Sequence, residues 1–325
     1  MSRLRSSGRG LTLIELLVAL AIGTLLTLAA VRIYMLARAA YRSAQSIAAL
    51  EETARFALTA LTYDIEHASY WGLTHDSRSI IGRRAQPSSS AIRVDNDCAR
   101  DWAIDLDAAL TATNNRYLWE CTPYRDSAMS GADTLTVRHA ETRAVASEES
   151  GSLYVRTSRF GRGELYTTPG PPPPTAALNT ATHALVVRGY YVNRTSSLST
   201  ATNAVPSLRV KTLTRSNFGP RIVDEEVCPG VEDLQVELGI DRDADGSPGY
   251  GTIDAYVTPE SRDLSDGRVL AIRVWLLVRA HDRDAGFTAT PPMSYADRSF
   301  EARDDGYRRR LVMTTLYARN LALGS

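Results

Sequence analysis

Lysine is almost missing: of 37 basic residues only Lys211 is lysine, and the rest are arginine. Net charge is missing too, because 37 acidic residues balance them. No global field therefore exists to hold nucleic acid or an anionic membrane surface, and only a local basic patch could do either. The three cysteines form no Cys-x-x-Cys, which leaves zinc and redox-motif readings without support. The five histidines, His67, His75, His139, His183 and His281, show no metal spacing such as H-E-x-x-H. Neither a G-x-S-x-G elbow nor a phosphate-binding loop occurs, and Ser, His and Asp are merely scattered. A second long apolar run is also absent, and with a mean hydropathy of -0.20 this excludes a polytopic membrane protein. What is present is a chain of 325 residues, 44% hydrophobic and 23% charged. That is too apolar to stay disordered and long enough to bury one large core or two smaller ones.

Its most uneven stretch is Leu11 to Val31, LTLIELLVALAIGTLLTLAAV, with Glu15 as the single charge. As a helix it is long enough to cross a bilayer once. Before it lies MSRLRSSGRG, with Arg3, Arg5 and Arg9 and no acid. A basic region ahead of an apolar run has the form of a secretory signal, and Ala19-Leu20-Ala21 offers an A-x-A cleavage site. Against that, the run continues past Ala21 to Val31 and holds a carboxylate. Arg32, Arg38 and Arg42 flank the far side, so positive charge does not set the orientation. A carboxylate deep in lipid costs roughly 2.5–3.5 kcal/mol, so Glu15 either reaches water near the start of the run or has a partner.

The order of residues favours a partner. Arg9-Gly10 followed by Leu11-Thr12-Leu13-Ile14-Glu15 resembles the class III signal of type IV pilins and pseudopilins. In that family a basic leader ends in Gly, an apolar residue follows, and Glu is fifth in the mature chain; Leu11 replaces the more usual Phe. The resemblance implies that prepilin peptidase cuts between Gly10 and Leu11 and methylates the new amino group of Leu11. It also implies that Glu15 pairs with the N-terminal amine of a neighbouring subunit and fixes the axial register of stacked helices. An opposite charge from outside offsets the desolvation of a buried carboxylate, which is physically consistent with that role.

Between Gly23 and Gly72 there is no glycine, and the first proline is Pro87. Leu36, Ala40, Ala44, Ile47, Leu50, Ala54, Ala57, Leu61 and Ile65 recur every three or four residues, an amphipathic stripe. Glu51 and Arg55 stand at i,i+4 on it. With the apolar run this predicts about 55–60 helical residues, on the order of 85 Å. A coiled coil or signalling stalk fits less well, because the stripe is alanine-rich and short in sustained heptads. ARFALTALTYDIEHASYWGL, Ala54 to Leu73, resembles the end of this helix in PilW-like minor pilins. Arg55, Phe56, Leu58, Leu61, Asp64, Ile65, Ala68, Tyr70 and Gly72 carry the likeness, with Gly72 as the expected helix stop.

After Gly72 short β-type runs alternate with turn residues: Ala91–Val94, Thr134–His139, Leu153–Thr157, Ala184–Val192 and Leu208–Leu213, then Val231–Ile240, Val269–Arg279 and Leu311–Tyr317. Val269–Val278 is apolar at nearly every position, as a central strand covered by the helix would be. Gly170-Pro171-Pro172-Pro173-Pro174 reads as a surface excursion. Val186 to Leu213, Cys228 to Gly246 and Tyr307 to Leu321 again resemble PilW-like chains. The expected fold class is α+β and type IV pilin-like: a long N-terminal helix, half transmembrane, packed on an antiparallel β-sheet head. Its expected parts are a cleaved leader at 1–10, a transmembrane part at 11–31, a periplasmic amphipathic part at 32–71 and the head at 72–325.

Three cysteines allow three pairings, and a periplasmic head would oxidise them. Cys98–Cys121 is favoured, since it staples the irregular region, with Cys228 either unpaired or replacing one partner. Asp241, Asp243, Asp245 and Gly246 match the first half of a calcium-binding EF-hand loop, but position 12 is Thr252 and not Glu. An acidic β-turn explains the same residues. Arg308-Arg309-Arg310 could meet phosphates or form a solvated strand edge. The resemblance implies no catalysis, no cofactor beyond a candidate calcium ion, and no specific nucleic acid. It implies a minor pilin of the type IV pilus that primes assembly or joins the tip complex for adhesion and twitching motility. Partners would be other minor pilins, the major pilin, a tip adhesin, prepilin peptidase and the inner-membrane assembly platform. The chain would sit in the inner membrane by a single span, head in the periplasm, and then in the filament or its tip. A type II secretion minor pseudopilin shares signal, helix and fold; an anchored periplasmic enzyme or sensor is the alternative of another class.

Overall fold

A computed structural model describes residues 12–87, 92–168, 179–284, 286–287 and 289–323. The expected cleavage position at Gly10 and Leu11, and the proline run, lie outside the described residues. Helix α1 is Leu13–His67, 55 residues and about 80 Å long. It ends ahead of the expected stop at Gly72. Ala68 caps it, its N–H reaching the Ile65 carbonyl at 3.2 Å, and Ser69 turns the chain at φ 65°. Gly72 serves a different purpose: at φ 86° it lets the backbone pass the His183 ring, which a Cβ there would meet at 2.9 Å.

The helix divides at Leu50. From there Leu50, Ala54, Ala57, Leu61, Asp64 and Ile65 are buried against the head. Leu13 to Arg38, about 40 Å of helix, stands clear of it, and Ala39 to Ala49 line a cleft whose other wall is Arg279 to Asp284 of the head. The predicted stripe therefore packs only in its second half, and Leu36, Ala40 and Ala44 are exposed. Tyr34, Met35 and Tyr41, beyond the apolar run, are exposed too. Glu51 does not pair with Arg55 along the helix; its carboxylate instead meets Arg310 of the head at 2.6 Å.

The head has two sheets. The first contains β1 (Ile80–Ile81), β2 (Leu110–Thr113), β3 (Thr134–Ala140), β4 (Leu153–Ser158), β5 (Gly163–Thr167), β6 (Thr180–Asn193), β7 (Ser207–Ser216) and β8 (Gly219–Pro229). All pairs are antiparallel except β1 with β5. The long β6 is its spine, pairing with β4 near its start and with β3 and β7 further on. The second sheet has β9 (Val231–Asp241), β10 (Ala255–Val257) and β11 (Arg268–Arg279). After a small hairpin, β12 (Met293–Tyr295) and β13 (Arg298–Phe300), β14 (Arg309–Tyr317) completes it in the order β10-β9-β11-β14. A closing helix, α2 (Arg319–Leu323), returns the chain to α1, where Asn320 donates to the Glu66 carbonyl at 3.5 Å.

One core joins α1 to both sheets: Ala57, Leu61 and Ile65 meet Leu135 and Tyr190 of the first and Val236, Val274 and Leu276 of the second. β11 is central, as its nearly continuous apolar run predicts, with alternate residues Ile272, Val274, Leu276 and Val278 in this core. A second core under the far face of the first sheet gathers Trp71, Trp102, Leu106, Val155 and Val187. Its cover is irregular chain around Trp102 and Trp119, and Ile92 to Val94, expected as a strand, forms none. Gly189 of β6 is required beneath it, because a Cβ would strike Trp119 at 2.7 Å.

Candidate functional site

Three arrangements could carry function: the free end of α1, its joint with the head, and the stapled cover of the first sheet. At the free end Thr12 caps the helix, and Thr12 and Glu15 form a capping box. The Thr12 N–H and hydroxyl each donate to Glu15 Oε2 at 2.9 Å, and the Glu15 N–H donates to the Thr12 hydroxyl at 3.3 Å. This satisfies helix-end donors with a carboxylate that lies at the positive end of the helix dipole. The sequence signal for such a box is Thr-x-x-Glu ahead of an apolar run, here Thr12 and Glu15. Around it Leu13, Ile14, Leu16, Leu17, Leu20 and Leu25 are exposed. Among the described residues α1 is the one helix long and apolar enough to cross a membrane.

At the joint, Asp64 enters the head from the last turns of α1 with no exposed surface. Arg188 Nη1 donates to both its oxygens at 2.9 and 3.1 Å, and the Tyr190 hydroxyl donates to Oδ2. His139 Nε2 faces Oδ1 at 3.4 Å. Burial pushes this carboxyl upward, but His139, Arg188 and Tyr190 outweigh it and hold the group below the usual carboxylate range. The sequence signal was the Asp64-Ile65 step of the helix-ending motif, whose partners lie more than seventy residues away.

The cover of the first sheet is fastened twice. Cys98 and Cys121 form a disulfide, with Cα atoms 4.4 Å apart. Cys228 is a free, buried thiol, pushed up to about 12 by burial and by nearby Glu226. Beside the disulfide the only lysine is buried: Lys211 Nζ reaches Asp224 at 2.8 Å and the Thr122 carbonyl at 2.5 Å. Asp224 also takes Arg209 Nε and the Tyr191 hydroxyl, both at 2.6 Å. The Tyr191 oxygen then accepts the Tyr124 N–H at 2.8 Å, so one carboxylate ties β7, β6 and the loop after Cys121 together.

The acidic turn differs from the expected set. Ligand oxygens of Asp241, Asp243 and Asp254 lie within 4.8 Å of one another, and Asp245 is not among them. Asp254 replaces it because the chain folds back through the glycines at 249 and 251. Asp241 is already satisfied: its oxygens accept the Gly251 N–H at 2.7 Å, the Asp243 N–H at 2.9 Å and Arg268 Nη2 at 2.7 Å. The Gly251 N–H leads in holding it below the usual range. A guanidinium on the innermost carboxylate fits a pinned turn better than a calcium ligand set. The three arginines of β14 and its approach are likewise engaged. Arg308 meets Asp284 at 2.7 Å, buried Arg309 meets Glu232 and Asp305 at 2.6 Å, and Arg310 meets Glu51. They fasten the strand and the helix, and do not form an open phosphate-binding patch.

Comparison with known proteins adds the family context. Residues 189–320 match the family model of type IV pilus-assembly protein W, and residues 5–31 match the prokaryotic N-terminal methylation motif. The chain is PilW-like over the first of these stretches, and the two matches support a type IV minor pilin. Among solved structures it is similar to a type IV-like pilin from Thermus thermophilus, at 17% identity over 59% of this chain and 80% of that one. The TM-score of that superposition is 0.29. No curated protein matches the chain.

Proposed function

We propose that the chain is a minor pilin that enters a type IV pilus, priming its assembly or standing in its tip complex. The observation that carries this reading is the division of α1: a head packed on its second half, and an apolar first half standing free with Glu15 near its end. Such a helix suits lipid before assembly and neighbouring helices after it. The role is structural, with prepilin peptidase as the enzyme that acts on the chain at Gly10 and Leu11. The lateral face of α1 supplies packing, Glu15 supplies register against a neighbour's N-terminal amine, and the head selects partners. Those partners are other minor pilins, the major pilin, a tip adhesin and the inner-membrane assembly platform. The head would face the periplasm before assembly and the cell surface after it.

The test is intact mass and N-terminal sequencing of membrane-extracted protein, with and without prepilin peptidase. A chain starting at N-methylated Leu11 only when the peptidase is present supports the pilin class. A start at Met1, or at Ile22 after Ala19-Leu20-Ala21, overturns it and returns an anchored periplasmic enzyme to the front. Deletion of the gene then separates filament from secretion: loss of pili with protein export intact fits the proposal, and the reverse fits a type II secretion pseudopilin.

A further inference from the structure

Where α1 passes beside the head before its burial begins, the two enclose a cleft of about 590 Å³. Its helix wall runs from Ala39 to Thr53, and its head wall carries Arg279 to Asp284. Three arginines line it: Arg42 from the helix, and Arg279 and Arg283 from the head. Among the described residues none of the three has a carboxylate partner. Arg42 has no polar partner at all, and Arg283 meets only the Tyr307 ring, at 5.4 Å. Arg279 lies over the same ring at 4.2 Å and donates through Nη2 to the Ala204 carbonyl, while its buried Nε–H has no acceptor. Glu232 and Asp305 act on Arg279 only from a distance, and both are taken by Arg309. Of the two acids in the cleft, Asp284 is neutralised by Arg308 at 2.7 Å, which leaves exposed Asp282 alone. The cleft is therefore cationic, and it holds a guanidinium N–H that an anion would satisfy.

Position says which anion. The exposed apolar surface of α1 does not stop at Val31; past Arg32 it continues through Ile33, Tyr34, Met35 and Leu36. An arginine stem snorkels across such a boundary, and tyrosines gather there. From Leu13 to Leu36 this surface is about 36 Å long, more than the roughly 30 Å of hydrocarbon in a bilayer, so its end reaches the headgroups. The cleft opens at Ala39, about 5 Å further along the helix. Ala49, Leu50 and Ala280 give it apolar wall as well, against which glycerol and acyl carbons can lie. We propose that the cleft holds the phosphate of an anionic phospholipid drawn from the membrane surface beneath the head, gripped by Arg42 from the helix and by Arg279 and Arg283 from the head. A lipid held there fixes the head against α1 at the membrane surface. This inference rests on the membrane span and not on the filament role.

The experiment reconstitutes the full chain in vesicles of phosphatidylcholine, alone or in equal parts with phosphatidylglycerol. Flotation is read first, and the lipids retained after release into micelles are then read by native mass spectrometry. Near a membrane surface each basic residue favours anionic lipid by about fivefold, so wild type is expected to retain phosphatidylglycerol over phosphatidylcholine by at least about tenfold. Arg42→Gln with Arg283→Gln should cut that preference by at least about fivefold; both side chains are exposed and without ion pairs, so the variant folds. Arg32→Gln with Arg38→Gln removes the same charge from the free half of α1 and should keep the preference. Equal retention of the two lipids, or retention of added inorganic phosphate with no lipid preference, overturns the proposal, as does an equal loss in the control pair. Wild type that floats with neither vesicle overturns the span itself, so the two failures are distinguishable.

Discussion

Asp224 is held by more donors than it has oxygens, and that imbalance sets a testable asymmetry. Replacing it with alanine leaves Arg209 with Glu226 at 3.2 Å and the Tyr124 ring at 3.8 Å, and leaves Lys211 with the Thr122 carbonyl. Both cations are nearly buried, at 6% exposure of each side chain, so each loses its shortest counter-charge without gaining water. Breaking a buried pair in this way costs about 3–5 kcal/mol, and the remaining acceptors place Asp224→Ala near 3. Lys211→Met is different. It leaves Asp224 still neutralised by Arg209 and bonded to Tyr191, and it forfeits two interactions, with Asp224 and with the Thr122 carbonyl, about 2 kcal/mol together. At about 2 °C per kcal/mol for a chain of this size, the two variants should melt about 6 °C and about 4 °C below wild type. Tryptophan fluorescence is a suitable assay, because Trp119 packs 6.1 Å from the Tyr191 ring and reports opening of the cover. Reduction of Cys98–Cys121 should add about 3 kcal/mol to each loss, since it frees a loop of 23 residues' separation. A Lys211→Met loss equal to or larger than that of Asp224→Ala would refute the ranking.

Other consequences are as direct. Glu15→Gln keeps a capping acceptor on Thr12 but removes the charge, so processed protein should accumulate in the membrane and be missing from sheared filaments on immunoblots; wild-type incorporation would remove the register role. Amine-reactive esters should label native chain at its α-amine and spare buried, ion-paired Lys211 until unfolding, as peptide mapping would show. Burial, then Asp297 and Asp233, push Asp133 up to about 7 against the N–H groups of Asn115 and Val236. A raised acid contributes fully below its unfolded value near pH 4 and loses that contribution through pH 7, up to about 4 kcal/mol in denaturant titrations, and Asp133→Asn should flatten the curve. Millimolar calcium should leave the melting temperature unchanged, because Arg268 already occupies Asp241; a calcium-dependent rise that Asp241→Ala abolishes would reverse that view.

The long helix was legible because its evidence is local. Absence of glycine and proline between Gly23 and Gly72 and a three-to-four-residue apolar spacing require no knowledge of the rest of the chain. What that spacing does not contain is the identity of the covering surface. Leu36 and Leu61 look alike in the stripe, yet one is exposed and the other is fully buried, because the head reaches only to Leu50. The stop was misplaced for a similar reason. Glycine is the usual left-handed residue after a helix, and here Ser69 takes that conformation at a site set by packing. Strands with unbroken apolar or alternating runs were recovered with ends off by a few residues. Those that pair briefly, such as β1, β10 and β12, have too few residues for any period to show. The cover around Trp102 has no period at all, because buried Arg138 holds it through the Trp102 and Ala108 carbonyls and not through strand pairing.

The two isolated acids of α1 show where sequence reasoning stops and structure takes over. In sequence Asp64 and Glu15 look alike: one carboxylate each on a face where apolar or small residues prevail. The fold answers the first within the chain, bringing Arg188 and His139 to Asp64 from strands 124 and 75 residues away. It does not answer the second in the same way. Among the described residues Glu15 accepts only from Thr12, two neutral donors on its own helix end. Neutral donors satisfy hydrogen bonds but leave a formal charge in lipid uncompensated, and that charge is the larger part of the insertion cost. A capped Glu15 is therefore tolerable in an isolated subunit and better placed beside a cation. In the proposed filament the neighbouring N-terminal amine would be that cation.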